Sequence, residues 1–324
     1  MGRSGDKVTM TTRFYTHAAC LDHDTGPHHP ERIARLEAVL AALDDPAFAA
    51  LERHEAPRVA LDRLALVHPK GYVDAVLAAT PASGHVHLDA DTVMSPGSAE
   101  AALRAAGAVV DAVDAVVTGK ARNAFCAVRP PGHHAEPEHA MGFCLFNSVA
   151  VGAEHARRAH GLARAAVIDF DVHHGNGTQA MFWSDEQLFY GSSHQFPHYP
   201  GTGAADETGV YHNIANAPLR AGTGSEEFRR LFEARVLRAL DHFRPEIVLI
   251  SAGFDAHERD PLAQINLVEE DYAWATDLLT EIADTHAGGR VVSVMEGGYD
   301  LTALAASAAA HVGRLLAADS AGKA

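Results

Sequence analysis

Cysteine is scarce in this sequence. Cys20, Cys126 and Cys144 are the full complement, too few for a disulfide framework, which points to a reducing compartment. Long apolar runs are missing as well. None approaches the roughly 20 residues of a spanning helix, and the N-terminus shows no signal-peptide apolar core. The expectation is a cytoplasmic protein without a membrane partner. Positive charge is in short supply: 26 Lys and Arg face 42 Asp and Glu, a net charge of -16. Phosphate contacts need a basic footprint, so nucleic acid is not an expected partner. Linkers, repeats and low-complexity tracts are also absent, which argues for a single domain. Its bounds read as 10–317, with residues 1–9 a disordered leader or tag and 318–324 a disordered tail.

What is abundant is histidine, 22 residues in 324, much of it in short clusters. Apolar β-rich runs recur at 124–128, 165–171, 187–193, 246–254 and 290–299. Amphipathic helical stretches separate most of them, at 98–117, 148–160, 225–243 and 269–286, with further helices at 30–43, 71–79 and 301–316. Strands alternating with helices predict an α/β fold with a parallel sheet. The polar residues collect just after the strands, as "RPPGHH", "DVHHGNG", "GFDAHERD" and "EGGYD". The carboxyl ends of parallel strands are where such sheets bind ligands.

The run "VIDFDVHHGNGTQ" (167–179) puts two carboxylates into an apolar strand, where an unpaired charge costs several kcal/mol. Asp171 and His173 share a face if the extended backbone continues, and mixed Asp/His ligation suits a borderline divalent metal. The plainer alternative is a strand ending in an Asn-Gly turn at Asn176. Asp255, after "IVLISAGF", supplies a candidate third ligand, although taken alone it reads better as a helix cap. His257 and Asp260 read as loop residues. The pair His133 and His134 suits acid–base work near neutral pH, or is simply a surface pair. Tyr299 after Gly297 and Gly298 is placed to donate to an oxyanion, or is an amphipathic surface residue.

Together "RPPGHHAEPEHAMGFCLFNSVAVGAEHA", "DFDVHHGNGTQAMF", "SAGFDAHERDPL", "EGGYD" and "HPERIARLEAV" resemble the histone deacetylase family, on the class II side that includes bacterial acetylpolyamine amidohydrolases. The resemblance spans roughly Phe14 to Leu316. It implies the arginase/deacetylase-like three-layer αβα fold and zinc-dependent hydrolysis of an N-acyl amide, such as an acetylpolyamine or acetyl-lysine, releasing acetate. It implies that Asp171, His173 and Asp255 ligate one Zn²⁺. His133 and His134 become the tandem histidines, His134 the general base, with Asp169 behind His133 and Asn176 behind His134. Tyr299 polarises the carbonyl. Gly142, Phe143, Tyr199 and Leu262 match tunnel-lining positions, and Arg35 an internal arginine at the channel's foot. A monovalent cation, K⁺, is implied beside the zinc at Asp169, Asp171, His173, Ser192 and Ser193.

Two rivals stand beside this reading. A binuclear manganese ureohydrolase needs a further carboxylate, and Gly175 occupies that place in "DVHHG". A non-catalytic binding protein on the same fold should have lost part of the constellation, which is intact. Glu258 and Asp91 are candidate acidic rim residues, with solvated loop charge the plainer reading. The sequence leaves the substrate open, and the oligomeric state too, a homo-oligomer included.

Overall fold

The computed structural model describes residues 11–321. In chain order its elements are β1 (Thr12–Thr16), α1 (Ile33–Leu43), β2 (Glu52–Glu55), α2 (Leu61–Leu64), α3 (Lys70–Ala78), β3 (Val86–His87), β4 (Val93–Met94), α4 (Ser98–Val117) and β5 (Asn123–Cys126). There follow α5 (Ser148–His160), β6 (Ala165–Asp169), α6 (Asn176–Phe182), β7 (Leu188–Gln195), β8 (Ile214–Leu219), α7 (Ser225–Leu231), α8 (Arg238–Phe243), β9 (Ile247–Ala252), α9 (Glu269–His286), β10 (Val291–Met295) and α10 (Leu301–Ala321). Eight strands form one sheet in the order β2-β1-β5-β10-β9-β6-β7-β8, and every pairing in it is parallel. Helices α4 and α5 cover one face, while α1, α9, α10 and the α7–α8 segment cover the other. The parallel α/β sheet is the one expected from the alternation of elements, and the three-layer αβα architecture is the one the resemblance implied.

The central strands β5, β6, β9 and β10 are buried along their whole length. Both faces of a parallel sheet are covered by helices, so these strands read as continuous apolar runs and were visible in the sequence. The edge strands were not. β2 is "ERHE", alternating half-buried and exposed, and β8 contains Pro218. An edge strand needs neither a second apolar face nor a second set of ladder hydrogen bonds. The helix expected over 225–243 is interrupted by a π-helical turn, Phe232–Leu237, which no apolar periodicity announces.

Helix α10 runs on to Ala321, past the domain boundary expected at 317. The expected leader, 1–9, lies outside the described residues. By length and apolarity Leu301–Ala318 is sufficient to cross a membrane, against the expectation of no such run. In this fold Leu304, Ala308, Val312 and Leu315 enter the main core beside α1 and α9. All three cysteines are buried free thiols.

Candidate active site

The strand carrying the two aspartates ends earlier than its apolar pattern suggests. β6 stops at Asp169, so Asp171 and His173 lie in the irregular segment beyond it. The Asn-Gly pair is no strand-ending turn either, because Asn176 opens helix α6. Three other central strands deliver their loops to the same rim: His133 and His134 after β5, Asp255 after β9, and Gly297 to Tyr299 after β10.

Asp171, His173 and Asp255 converge in full burial, one ligand atom of each lying within 4.8 Å of the others. His173 Nδ1 is 3.1 Å from Asp171 Oδ1 and 3.1 Å from Asp255 Oδ2. The outer oxygens are held by backbone donors: Gly297 N–H to Asp171 Oδ2 at 2.8 Å and Val172 N–H to Asp255 Oδ1 at 2.8 Å. Burial and the neighbouring Asp171 push the Asp255 carboxyl up to about 7. Burial opposes charge on Asp171 too, but His133 and His173 outweigh it and bring that carboxyl below the usual range. Two buried carboxylates and an imidazole nitrogen aimed at one point are a donor set that a divalent cation neutralises, and N/O ligation suits Zn²⁺. The residues fit the metal that the sequence implied. Gly297 is required here, since a Cβ at that position would overlap the carboxylates of both Asp255 and Asp171.

The tandem histidines have different partners. His133 Nδ1 lies 3.0 Å from Asp169 Oδ2, and His134 Nδ1 lies 2.8 Å from Asn176 Oδ1. Asn176 Nδ2 donates to Glu136 at 2.7 Å, which fixes the amide so that its oxygen faces the histidine. Burial disfavours the imidazolium of His133, but Asp171, Asp169 and Glu296 together outweigh it and hold His133 well above the usual histidine range. Burial and the charges on His133 and His173 push His134 well below it. Environments that drive two neighbouring groups apart assign a proton holder and a base.

Tyr299 is buried, and burial with Asp255 keeps its hydroxyl protonated. A cavity of about 80 Å³ joins it to His134 and His173 and is lined by Gly142, Phe143, Tyr199, Leu262 and Asp91. All four expected wall residues therefore meet. Phe143 adopts a left-handed φ of 70°, a cost that non-glycine residues carry mainly where function holds them. Arg35 is different. It does not line the cavity, because its guanidinium is fully buried and committed elsewhere. It pairs with Glu31 at 3.0 Å, donates to the carbonyls of Gly298 and Glu296, and lies 4.9 Å from the Tyr299 ring centre. Its work is to hold the loop beneath Tyr299. Ser192 pairs with Asp169 across the β6–β7 ladder and shares a 2.8 Å hydrogen bond with His194; Ser193 follows it, also buried.

Several functional residues were missed. Glu296, buried behind the histidine loop, accepts the backbone N–H of Gly132 at 2.7 Å, and burial raises it to about 7. It was legible as a carboxylate ending a buried strand, the same signal that singled out Asp169. Tyr190 donates to Asp169 at 3.0 Å and accepts from Gly175 N–H at 2.9 Å. Asp260, read as a loop residue, supports both Leu262 and Tyr299. Of the two rim acids, Asp91 reaches the cavity and Glu258 does not.

The second-metal alternative fails sterically. A Cβ at Gly175 would come within 2.5 Å of Asp169 Oδ2 and 2.6 Å of the Tyr190 hydroxyl, leaving no room for a bridging carboxylate.

Residues 29–315 match the histone deacetylase domain. Over 90% of its length the chain is 37% identical to a histone deacetylase-like amidohydrolase of Pseudomonas aeruginosa, covering 82% of that protein. It is 35% identical to a probable deacetylase of Archaeoglobus fulgidus, covering 90% of this chain and 82% of that one. The backbone is similar to the crystal structure of the HDA15 HD domain, with a TM-score of 0.90 at 36% identity, over 95% of this chain and 89% of the other.

Proposed function

The chain belongs to the histone deacetylase family, and from that premise we propose that it is a zinc-dependent amidohydrolase releasing acetate from N-acetylated amines such as acetylpolyamines or acetyl-lysine. The observation that carries this reading is the meeting, at one small cavity, of the Asp171–His173–Asp255 set, a neutral His134 and the Tyr299 hydroxyl.

Asp171, His173 and Asp255 would hold the metal. When bound, Zn²⁺ polarises the scissile carbonyl and lowers the pKa of the attacking water. His134 takes the water's proton on Nε2, since Nδ1 is engaged with Asn176 Oδ1 as a donor. Tyr299 donates its O–H to the developing oxyanion. A protonated histidine, which the Asp169 carboxylate stabilises at His133, returns a proton to the leaving amine. The walls formed by Gly142, Phe143, Tyr199 and Leu262 orient an extended acylated side chain and limit water. K⁺ at Asp169, Asp171, His173, Ser192 and Ser193 would fix the inner carboxylates; the burial of all five residues supports such a site.

A turnover panel tests the reading. Acetyllysine peptides, acetylputrescine and acetylspermidine are assayed with the metal content of the same preparation. One tightly held Zn²⁺ per chain, its removal by chelator abolishing acetate release, is expected. Two Mn²⁺ at the catalytic rim, or metal-independent turnover, would overturn it.

A further inference from the structure

The far end of the sheet carries a second convergence of ligand-type side chains. Helices α4 and α5 lead through short turns into the beginnings of β5 and β6, so their last turns lie opposite the rim that bears the active site. Asp114 sits in the last turn of α4, and His155 and His160 in the second half of α5. Asp114 Oδ1 is 2.7 Å from His155 Nε2 and 2.6 Å from His160 Nε2. One ligand atom from each residue lies within 4.8 Å of the others. The two rings are 5.5 Å apart and nearly perpendicular, at 89°, yet both aim Nε2 at the same oxygen.

A carboxylate accepting two N–H donors is the simplest account of the contact. Two features go further. The donors come from rings at right angles and take one oxygen rather than sharing the pair, which is how side chains surround a single ion. The site is also open on one side only: His155 is buried, whereas the Asp114 side chain is 46% exposed, so water has access to complete a coordination shell. The arginines beside it on α5 are already engaged, Arg157 with Glu154 and Asp185, and Arg158 with Glu154. In the adjoining cavity of about 220 Å³, Arg58 and Arg63 face Asp111 and Asp114. Charges of both signs line that cavity, so selection rests on ligand chemistry.

The geometry points to a second metal site, in which His155 Nε2, His160 Nε2 and an Asp114 oxygen bind a borderline divalent cation such as Zn²⁺, Co²⁺ or Ni²⁺, with water in the remaining positions. Two imidazoles and one carboxylate suit this class and not Mg²⁺ or Ca²⁺, which prefer oxygen shells. The bound ion fastens α4 to α5 and stabilises the folded chain by mass action. With one carboxylate instead of two, and that one partly exposed, it is the weaker of the two sites. The inference does not depend on the deacetylase reading.

The test uses the full chain with its catalytic metal in place, titrated with Zn²⁺ by calorimetry and with Co²⁺ by visible absorption. Wild type takes up one further equivalent, and added Zn²⁺ raises its melting temperature. His160→Ala and Asp114→Asn, both at partly exposed positions, weaken that equivalent by at least about tenfold and abolish the thermal shift, with hydrolytic turnover at trace metal unchanged. An Asp255→Asn chain, deprived of the catalytic ligand set, still takes up the outer equivalent, so failure of the functional reading leaves this result readable. Absence of a further equivalent, or one that persists unaltered in both variants, overturns the proposal.

Discussion

The carboxylate of Asp260 accepts the backbone N–H of Tyr299 at 2.7 Å, and its other oxygen accepts that of Leu262 at 3.0 Å. One buried side chain thus ties the loop after β9, which forms a cavity wall, to the loop after β10, which carries the hydroxyl. Asp260→Asn replaces one acceptor by an NH₂ group facing an N–H. The expected result is a fall in kcat on the order of 10- to 100-fold, the cost of a small misplacement of a reacting group, with KM little changed. A rise in KM at constant kcat would place Asp260 in substrate binding instead.

Tyr299→Phe removes the hydroxyl and leaves the ring beneath Arg35. Turnover should drop by about 10²-fold or more, as for loss of an oxyanion donor, with circular dichroism and melting temperature unaltered. Full activity in the variant would remove Tyr299 from the reaction.

Gly297→Ala places a methyl group against both Asp171 and Asp255. Affinity for the catalytic metal should fall by at least about tenfold, the scale on which support of a ligand set acts. Competition with a chromophoric chelator measures it, and wild-type affinity would show that the loop yields.

Acid should weaken the fold through histidines buried in neutral form. Burial pushes His68 and His194 down to about 4 and His311 to about 3. His68 shows the cause: its Nδ1 faces the Pro137 carbonyl while Nε2 accepts the N–H of Asn147, so a second proton costs that bond. In the unfolded chain these groups take up protons near 6.5. Their stabilising contribution is complete above about pH 6.5 and is lost as pH falls toward 4, on the order of 1 kcal/mol per pH unit for each histidine. Glu296, raised to about 7, works in the opposite direction. Urea unfolding of wild type and His311→Phe between pH 7 and 5 should give the variant the shallower slope; identical slopes would refute the assignment.

The αβα layering was legible because the buried parallel strands are apolar on both faces and the helices between them are amphipathic. The zinc-ligand candidates, the tandem histidines and Tyr299 were legible as polar residues placed just after those strands. Glu296 stood out as a carboxylate ending a buried strand, but its role, like that of Asp260, escaped for a physical reason. Each serves by accepting backbone N–H groups from another loop, and a backbone donor leaves no mark in the sequence. Arg35, expected as an internal arginine at the channel's foot, is fully buried beside Tyr299, where Glu31 and two carbonyls satisfy its guanidinium.

The sequence by itself determined where most of the buried strands lie, which residues stand at their carboxyl ends, and the family to which they belong. It did so because burial on two faces and ligand chemistry constrain residue type locally. Tertiary structure alone decided that β6 ends at Asp169, that Asn176 begins a helix, and that His134 is neutral while His133 is charged. It also brought Asp114 together with His155 and His160. These outcomes depend on distances between segments remote along the chain, where burial and neighbouring charge set protonation and no local pattern encodes the encounter.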